Sequence, residues 1–144
     1  MTVVREWIAK AENDLKNAVH TLKLGEECPT DTVCFHAQQC VEKYLKALLV
    51  WKRIPFTKTH NISALVAILP AKFQKIMTVD EQNLLTEYAT VTRYPGYYED
   101  ISLAEARDAV RIARRIRTIV RSLLPKEAKI AERKKQQLRK KQKN

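Results

Sequence analysis

The helical period of the apolar residues is the feature that most constrains how this chain folds. Near the N-terminus, apolar side chains recur every three or four residues and so cover one face of a helix: Val4, Trp7, Ile8, Ala11, Leu15, Ala18, Val19 and Leu22. A second stripe runs from Val33 to Trp51. The whole chain contains only two glycines, and Ala, Leu, Lys, Glu and Arg dominate it. The fold is therefore predicted to be all-α, an antiparallel up-and-down bundle of four to five helices.

Start and stop signals divide the first half of the chain into helices. Gly25 follows the first stripe at the position where a glycine commonly ends a helix, so the first helix is predicted over about residues 3 to 24. Thr30 is the predicted N-cap of a second helix that reaches about Arg53. Asn61 is placed to cap a third, shorter helix. Two long helices and a short one are expected here.

Two capping boxes mark the starts of the last two helices. The stretch TVDE, Thr78 to Glu81, is expected to open a fourth helix that continues to about residue 92. The stretch SLAE, Ser102 to Glu105, is expected to open a fifth helix that continues to about Leu124. Residues 93 to 101, between the end of the fourth helix and the second box, are therefore expected to connect the two helices.

The stretch VTRYPGYYED, residues 91 to 100, covers most of that connection and holds one Arg and three of the five Tyr in the chain. Its Pro and Gly force a break in the helix. Arg93 is expected in the last turn of the fourth helix, where it either complements the negative helix end or binds phosphate. Tyr94, Tyr97 and Tyr98 carry rings that can stack on a purine. Tyrosines are also enriched at binding hot spots, so a dimer interface is the alternative use.

The fifth helix has a cationic side. On a helical wheel four arginines group opposite the apolar face: Arg107, Arg111, Arg114 and Arg121. They are candidate contacts to phosphate or RNA, because arginine binds phosphate bidentately. An ordinary solvated helix face is the alternative.

Length and charge divide the chain in two. Residues 1 to 125 are expected to form one helical domain and residues 126 to 144 a basic extension, which carries nine Lys or Arg and two Glu and so +7 of the net charge of +11. This extension either touches RNA, DNA or an anionic surface, or serves as a solvated tail. No metal-ligand spacing, signal peptide or membrane span is visible, so a cytoplasmic protein without a metal site is expected.

Three segments resemble the HEPN domain, the "higher eukaryotes and prokaryotes nucleotide-binding" family: FHAQQCVEKYLKALLV at 35 to 50, KTHNISALV at 58 to 66, and RYP at 93 to 95. The resemblance implies a helical bundle that commonly forms a homodimer. It also implies genomic and physical pairing with a minimal nucleotidyltransferase encoded nearby, often as toxin and antitoxin. In some pairs the partner enzyme adds nucleotidyl groups to a tyrosine near this motif, which makes Tyr97 and Tyr98 candidate acceptors.

Some family members are metal-independent ribonucleases that use an Arg followed, after four to six residues, by a His. In this sequence Tyr98 stands where the earliest such His would be, and no His follows residue 60. No catalytic residue is therefore assigned. Glycine-rich phosphate loops and nucleophile elbows are excluded as well, because two glycines cannot build them.

Three functional hypotheses follow. The first is a non-catalytic module that binds ATP, ADP or AMP, and a partner, without a metal or organic cofactor. Its ligand would lie in one cleft formed by residues of the second helix, the next loop and the Tyr-rich connection: Gln38, Glu42, Lys43, His60, Arg93, Tyr94, Tyr97 and Tyr98. The second is an RNA-cleaving toxin without the usual His. The third is a purely structural homodimeric interaction protein.

Overall fold

The computed structural model describes residues 1 to 90 and 100 to 128, and these residues form five α-helices and two 3₁₀ turns. The α-helices are α1 (Thr2–Leu22), α2 (Thr30–Trp51), α3 (Ile62–Ala67), α4 (Val79–Tyr88) and α5 (Leu103–Leu123). The 3₁₀ turns are Gly25–Glu27 and Ala71–Ile76. This part of the chain contains no β-strand. The predicted all-α class is confirmed.

Helix α2 lies at the centre of the bundle, with α1, α3, α4 and α5 packed against it. Its Tyr44, Leu45 and Leu48 are fully buried, and each such apolar side chain contributes about 1.5–3 kcal/mol of transfer free energy. Cys34 and Cys40 are buried with them and form no disulfide, so each packs as a small hydrophobic residue.

Contacts between helices show the up-and-down arrangement. Asp14 of α1 contacts Lys43 of α2, whereas Trp7, two turns earlier in α1, contacts Lys46 near the end of α2, so the two helices are antiparallel. In the same way, the end of α4 contacts the start of α5 through Tyr88 and Glu105. The start of α4 contacts the later part of α5. The predicted antiparallel bundle is therefore confirmed.

Several predicted helix starts are confirmed by their caps. The side chain of Asn61 accepts a hydrogen bond from the Ala64 N–H at 3.1 Å, which caps α3. Thr78 and Glu81 form the complete capping box at the start of α4. Gly25 adopts a positive φ of 66° directly after α1, as expected of a glycine that ends a helix. Local signals therefore located these boundaries correctly.

Two caps and one helix end differ from the prediction. Thr30 is the first residue of α2 rather than its cap, and its hydroxyl donates to the Ile101 carbonyl at 2.7 Å. Ser102 does cap α5, but the Glu105 carboxylate accepts from the Tyr88 hydroxyl at 2.6 Å instead of completing the box. Helix α4 ends at Tyr88, earlier than the expected residue 92. In the first two differences, the side chain expected to cap the helix or to complete the box forms a tertiary hydrogen bond instead.

In the described ranges no helix combines the length and the apolar composition needed to cross a membrane. Helix α5 ends at Leu123, close to the predicted domain end at residue 125. Most of the basic extension, residues 129 to 144, lies outside the described residues, so the proposed division of the chain stays a prediction.

Candidate functional site

A buried polar network lies on one face of α2. Gln38, Glu42 and Lys46 are spaced four residues apart, so their side chains line up along the helix. Gln38 Nε2 donates to Glu42 Oε1 at 3.2 Å, and Lys46 Nζ lies 3.3 Å from Glu42 Oε2. The Glu42 side chain is only 2% exposed. A carboxylate at such depth costs several kcal/mol unless its oxygens are paired, as they are here.

The network reaches the surface through His60, which lies in the loop before α3. His60 Nδ1 lies 2.8 Å from Glu42 Oε1, and the His60 side chain is 70% exposed. The His60 carbonyl accepts from Gln38 Nε2 at 3.4 Å, which fixes the loop against α2. Since an ionised carboxylate can only accept, Nδ1 carries the proton and Nε2 has a free lone pair in the neutral ring. Nε2 is therefore available to accept a hydrogen bond, or to donate one to an anion once protonated.

Aromatic rings enclose the other end of the network. Lys46 Nζ lies 5.2 Å from the centroid of the Trp7 ring and 5.9 Å from that of Phe56. The two rings meet edge to face with centroids 6.4 Å apart. Cation–π attraction supplements the single carboxylate partner of this buried ammonium. The network thus extends from α1 through α2 to the loop that carries His60.

Lys43, which the sequence placed in the same cleft, belongs to a different cluster. Lys43 Nζ lies 2.5 Å from Asp14 Oδ2, and His36 Nδ1 lies 2.8 Å from Asp14 Oδ1. This cluster joins α2 to α1, whereas Glu42 joins α2 to the loop before α3. Adjacent residues on a helix point about 100° apart, which is why Glu42 and Lys43 have different partners. Gln38, Glu42 and His60 are brought together, and Lys43 is turned towards α1.

Arg121, predicted on the outer cationic side of α5, instead contacts the interior. Its Nη1 lies 3.4 Å from the Tyr44 hydroxyl and 3.9 Å from Glu12 Oε1. Glu12 also accepts from Tyr44 and from Arg117 Nε. Burial, and then the hydrogen bond to Glu12, raises the pKa of Tyr44 well above its usual range. The buried acid that α1 supplies draws the Arg121 guanidinium inward, and whether Arg121 contacts phosphate stays a prediction.

The three remaining arginines of that predicted set, Arg107, Arg111 and Arg114, are exposed on α5 as expected. Arg111 pairs with Asp108 of the same helix at 2.9 Å. An exposed pair of this kind contributes at most about 1 kcal/mol, so it leaves the arginine free to exchange partners. Whether these residues contact phosphate remains a prediction.

Two buried acids that form ion pairs between helices escaped the sequence reasoning, Glu12 and Asp14 of α1. Both are buried and both hold cations from other helices. The sequence contained an indication of this role, because the two acids lie next to Ala11 and Leu15 of the apolar stripe. An acid at such a position needs a partner from another element.

Arg93, Tyr94, Tyr97 and Tyr98 lie outside the described residues, but both flanks of their segment are fixed. On the α4 side, Thr86 Oγ1 accepts from the Ile62 N–H at 3.1 Å, two residues after His60. On the α5 side, the Ile101 carbonyl accepts from Thr30 at the start of α2. The flank before the segment therefore lies beside the loop of His60, and the flank after it lies beside α2.

The network, as far as the chain is described, can hold a proton or an anion but offers no metal centre. Nowhere in residues 1 to 90 or 100 to 128 do three or more His, Cys, Asp or Glu side chains converge as metal ligands would. An exposed imidazole backed by a buried carboxylate can orient a hydrogen bond or transfer a proton. These are the chemical functions available at this site.

Comparison with known proteins gives a consistent result. The model of the HEPN domain matches residues 4 to 123. Among solved structures, TT1696 from Thermus thermophilus is 28% identical with a TM-score of 0.71, covering 86% of this chain and 100% of its own. ST0689, described as an archaeal HEPN homologue, is 27% identical with a TM-score of 0.64, covering 83% of this chain and 96% of its own. No curated protein matches.

Proposed function

The chain belongs to the HEPN domain family, and on that premise we propose that it is a nucleotide-binding and partner-binding module. The nucleotide is ATP, ADP or AMP, and the partner is a minimal nucleotidyltransferase encoded nearby in a toxin-antitoxin-like pair. The protein acts in the cytoplasm as a homodimer. It needs no metal or organic cofactor of its own.

The bond between His60 and Glu42 is the observation that carries the proposal. An exposed imidazole is tied at 2.8 Å to a carboxylate that is almost fully buried. Well-packed apolar residues would stabilise the domain as well as, or better than, a buried Glu42–Lys46 pair. A buried polar network that stabilises the fold no better than apolar residues would, and that reaches the surface through one exposed side chain, is typical of a binding site.

The flanks of the segment 91–99 supply the second argument. The last turn of α4, which precedes the segment, lies beside the loop of His60, since Thr86 accepts from the Ile62 N–H. In the proposed complex Arg93 and His60 contact phosphate, and a ring of Tyr94, Tyr97 or Tyr98 stacks on the base.

Nucleotide titration tests the proposal, with Trp fluorescence and melting temperature as readouts. Trp7 is a suitable reporter because Lys46, the partner of Glu42, lies over its ring. We expect one of ATP, ADP or AMP to bind at millimolar concentration or below. His60→Ala should weaken binding about tenfold, equivalent to about 1.4 kcal/mol, as loss of one charge-assisted hydrogen bond does.

His36→Ala is the matched control, because His36 is also bonded to a carboxylate but faces α1. It should leave nucleotide affinity unchanged. No response to any of the three nucleotides at millimolar concentration, in fluorescence and in melting temperature, would refute the nucleotide site.

The partner half of the proposal has its own test. The chain is co-expressed with the nucleotidyltransferase of the neighbouring reading frame and purified through a tag on that enzyme. We expect co-purification, and an intact mass that reveals any nucleotidyl group added to Tyr97 or Tyr98. Recovery of the enzyme alone would count against the partnership.

RNA cleavage is a second candidate, and one observation favours it. Glu42 orients the His60 ring so that Nε2 faces outward, which is the arrangement of a general base. Incubation with transfer RNA in the presence of a chelator tests it. Cleavage that disappears in His60→Ala and in Arg93→Ala but persists in His36→Ala would establish a ribonuclease.

A further inference from the structure

A groove of about 550 Å³ lies between α1 and α5, away from the Glu42–His60 site. Lys16, His20 and Lys23 line it on the α1 side, and Arg114 and Arg117 on the α5 side. The three α1 residues follow each other at intervals of four and three, so they share one helix face. Every ionisable residue lining the groove except Glu12 is basic.

Most of the positive charge in the groove is uncompensated. Glu12, the single acid in the lining, already pairs with Arg117 at 2.5 Å. Lys16, Lys23 and Arg114 form no ion pair with any residue in the described part of the chain. Three cations that face one concave surface repel each other, and an anion placed among them removes that repulsion.

The cationic surface continues beyond the groove. Arg107 and Arg111 are exposed and lie on the same face of α5 as Arg114, spaced by four and three residues. This row is roughly 10 Å long at 1.5 Å per residue. Since Glu12 of α1 meets Arg117 of α5 while Lys23 and Arg114 line the same groove, the helices are antiparallel, and the row runs along α5 towards the level of Lys23. A compact anion would fill only part of such a surface.

The lining also indicates which part of a nucleic acid fits. The lining contains His20 but no Phe, Tyr or Trp ring on which a base could stack, and its apolar members include Leu15 and Val19, which suit a sugar edge. We propose that this groove binds the phosphodiester backbone of a single-stranded nucleic acid without sequence preference. The site is separate from Glu42 and His60 and does not depend on nucleotide binding there.

Fluorescence polarisation with a labelled oligouridylate measures this binding over a range of salt concentrations. The test variant is Lys16→Gln/Lys23→Gln/Arg114→Gln, which removes three charges from exposed positions. Each lost phosphate contact lowers the slope of log K against log salt by about 0.7 for a single strand, so the slope should fall by about 2. Unchanged far-UV circular dichroism shows that the variant is folded.

Lys58→Gln/Lys72→Gln/Lys75→Gln is the matched control, since it removes three exposed lysines that do not line the groove. The control should keep the slope of the wild type. If the slope falls equally in both variants, only the net charge of the protein matters. If the slope does not fall in the groove variant, the nucleic acid binds elsewhere, for example at the basic tail. Either result would overturn the proposal.

Further ligands identify the source of the phosphate. An oligodeoxythymidylate should bind like the RNA, because the proposed contacts are to phosphate and none is to the 2′-hydroxyl. Inorganic polyphosphate that binds as tightly, with the same sensitivity to the groove variant, would reassign the site to free polyphosphate. The groove variant should keep the affinity of the wild type for ATP, ADP and AMP, so a failure here is distinguishable from a failure of the nucleotide site.

Discussion

His60 Nδ1 and Glu42 Oε1 lie 2.8 Å apart, yet one side chain is 70% exposed and the other 2%. A single hydrogen bond therefore connects a surface imidazole to an anion inside the bundle. Because the other oxygen of Glu42 holds Lys46 beneath the Trp7 ring, a ligand that binds His60 acts on a continuous set of contacts. Surface binding and bundle stability should consequently be coupled.

Glu42→Gln should destabilise the protein by about 3 kcal/mol. The change removes the counter-charge of Lys46, which is buried, and breaking a buried ion pair from one side costs about 3–5 kcal/mol. We expect the lower value of this range because Trp7 and Phe56 still contact the Lys46 ammonium group in the variant. Urea unfolding at constant m-value measures the loss.

The double variant Glu42→Gln/Lys46→Met separates pairing from packing. It should be less destabilised than the sum of its two single variants, because no unpaired charge is left buried. Glu87→Gln, on the exposed side of α4, should change stability by less than about 0.5 kcal/mol. Strict additivity of the two single changes would contradict the pairing.

Local signals in the sequence were sufficient to predict the helices. The caps at Asn61 and Thr78 involve only residues three apart, so neighbouring side chains decide them. The joining of Gln38, Glu42 and His60 followed from the family resemblance. Gln38 and Glu42 are four residues apart, so they share a face of α2 once it is helical. The helical pattern alone does not predict that the loop brings His60 to the same face.

Contacts between helices could not be predicted in the same way. The position of Arg121 on a wheel of α5 is at the edge of the cationic side, and only the nearby Glu12 of α1 decides that it turns inward. Likewise Lys43 pairs with Asp14 because α1 lies on that side of α2. A single-helix wheel contains no information on the neighbouring helix, so these partners appear only in three dimensions.

Thr30→Asp should destabilise the protein by about 1 kcal/mol, although aspartate is an excellent N-cap. The Thr30 hydroxyl donates to the Ile101 carbonyl, and a carboxylate cannot donate. The unpaired, buried carbonyl costs about 1–3 kcal/mol, which the helix dipole offsets by about 0.3–1 kcal/mol. Urea unfolding of the variant shows whether its free energy of unfolding falls as expected.

Ser102→Asp is the control for that change. The Ser102 oxygen accepts from the Glu105 N–H, so aspartate should replace it with little change in stability. If Thr30→Asp proves neutral as well, the hydrogen bond from Thr30 to Ile101 contributes nothing to stability.

Alkaline pH should unfold the protein through its buried phenols. Burial, and then the hydrogen bond to Glu105, raises the pKa of Tyr88 well above its ordinary value of 10.0, and the pKa of Tyr44 is raised by burial and Glu12. Since the unfolded chain releases these protons first, the stabilisation is complete below pH 10 and is lost as the pH rises above it.

Tyr88→Phe should lower stability at neutral pH by about 1.5 kcal/mol, because the hydroxyl donates to a carboxylate. Above pH 10 its stability should fall less steeply than that of the wild type. Chemical unfolding at a series of pH values provides both curves. Parallel curves would show that Tyr88 does not take part in the alkaline transition.

Acid should weaken the link between α4 and α5 that Glu81 and Arg115 provide. The two guanidinium nitrogens of Arg115 lie 2.8 and 2.7 Å from the carboxylate oxygens of Glu81. The hydrogen bonds from Arg115, and to a lesser extent the Thr78 N–H, lower the pKa of Glu81 below its ordinary value of 4.5. The stabilisation is therefore present above that pH and is lost as the pH falls through the lowered value.

Glu81→Gln isolates this charge, because glutamine can still complete the capping box with Thr78. The Arg115 side chain is 43% exposed, so the variant should lose no more than about 1 kcal/mol at neutral pH. That difference should shrink towards zero below about pH 4 and in about 1 M salt. Asp108→Asn, which breaks the more exposed pair with Arg111, should have no measurable effect. A difference that persisted at about pH 2 would mean that the carboxylate contributes through its shape in the capping box and not through its charge.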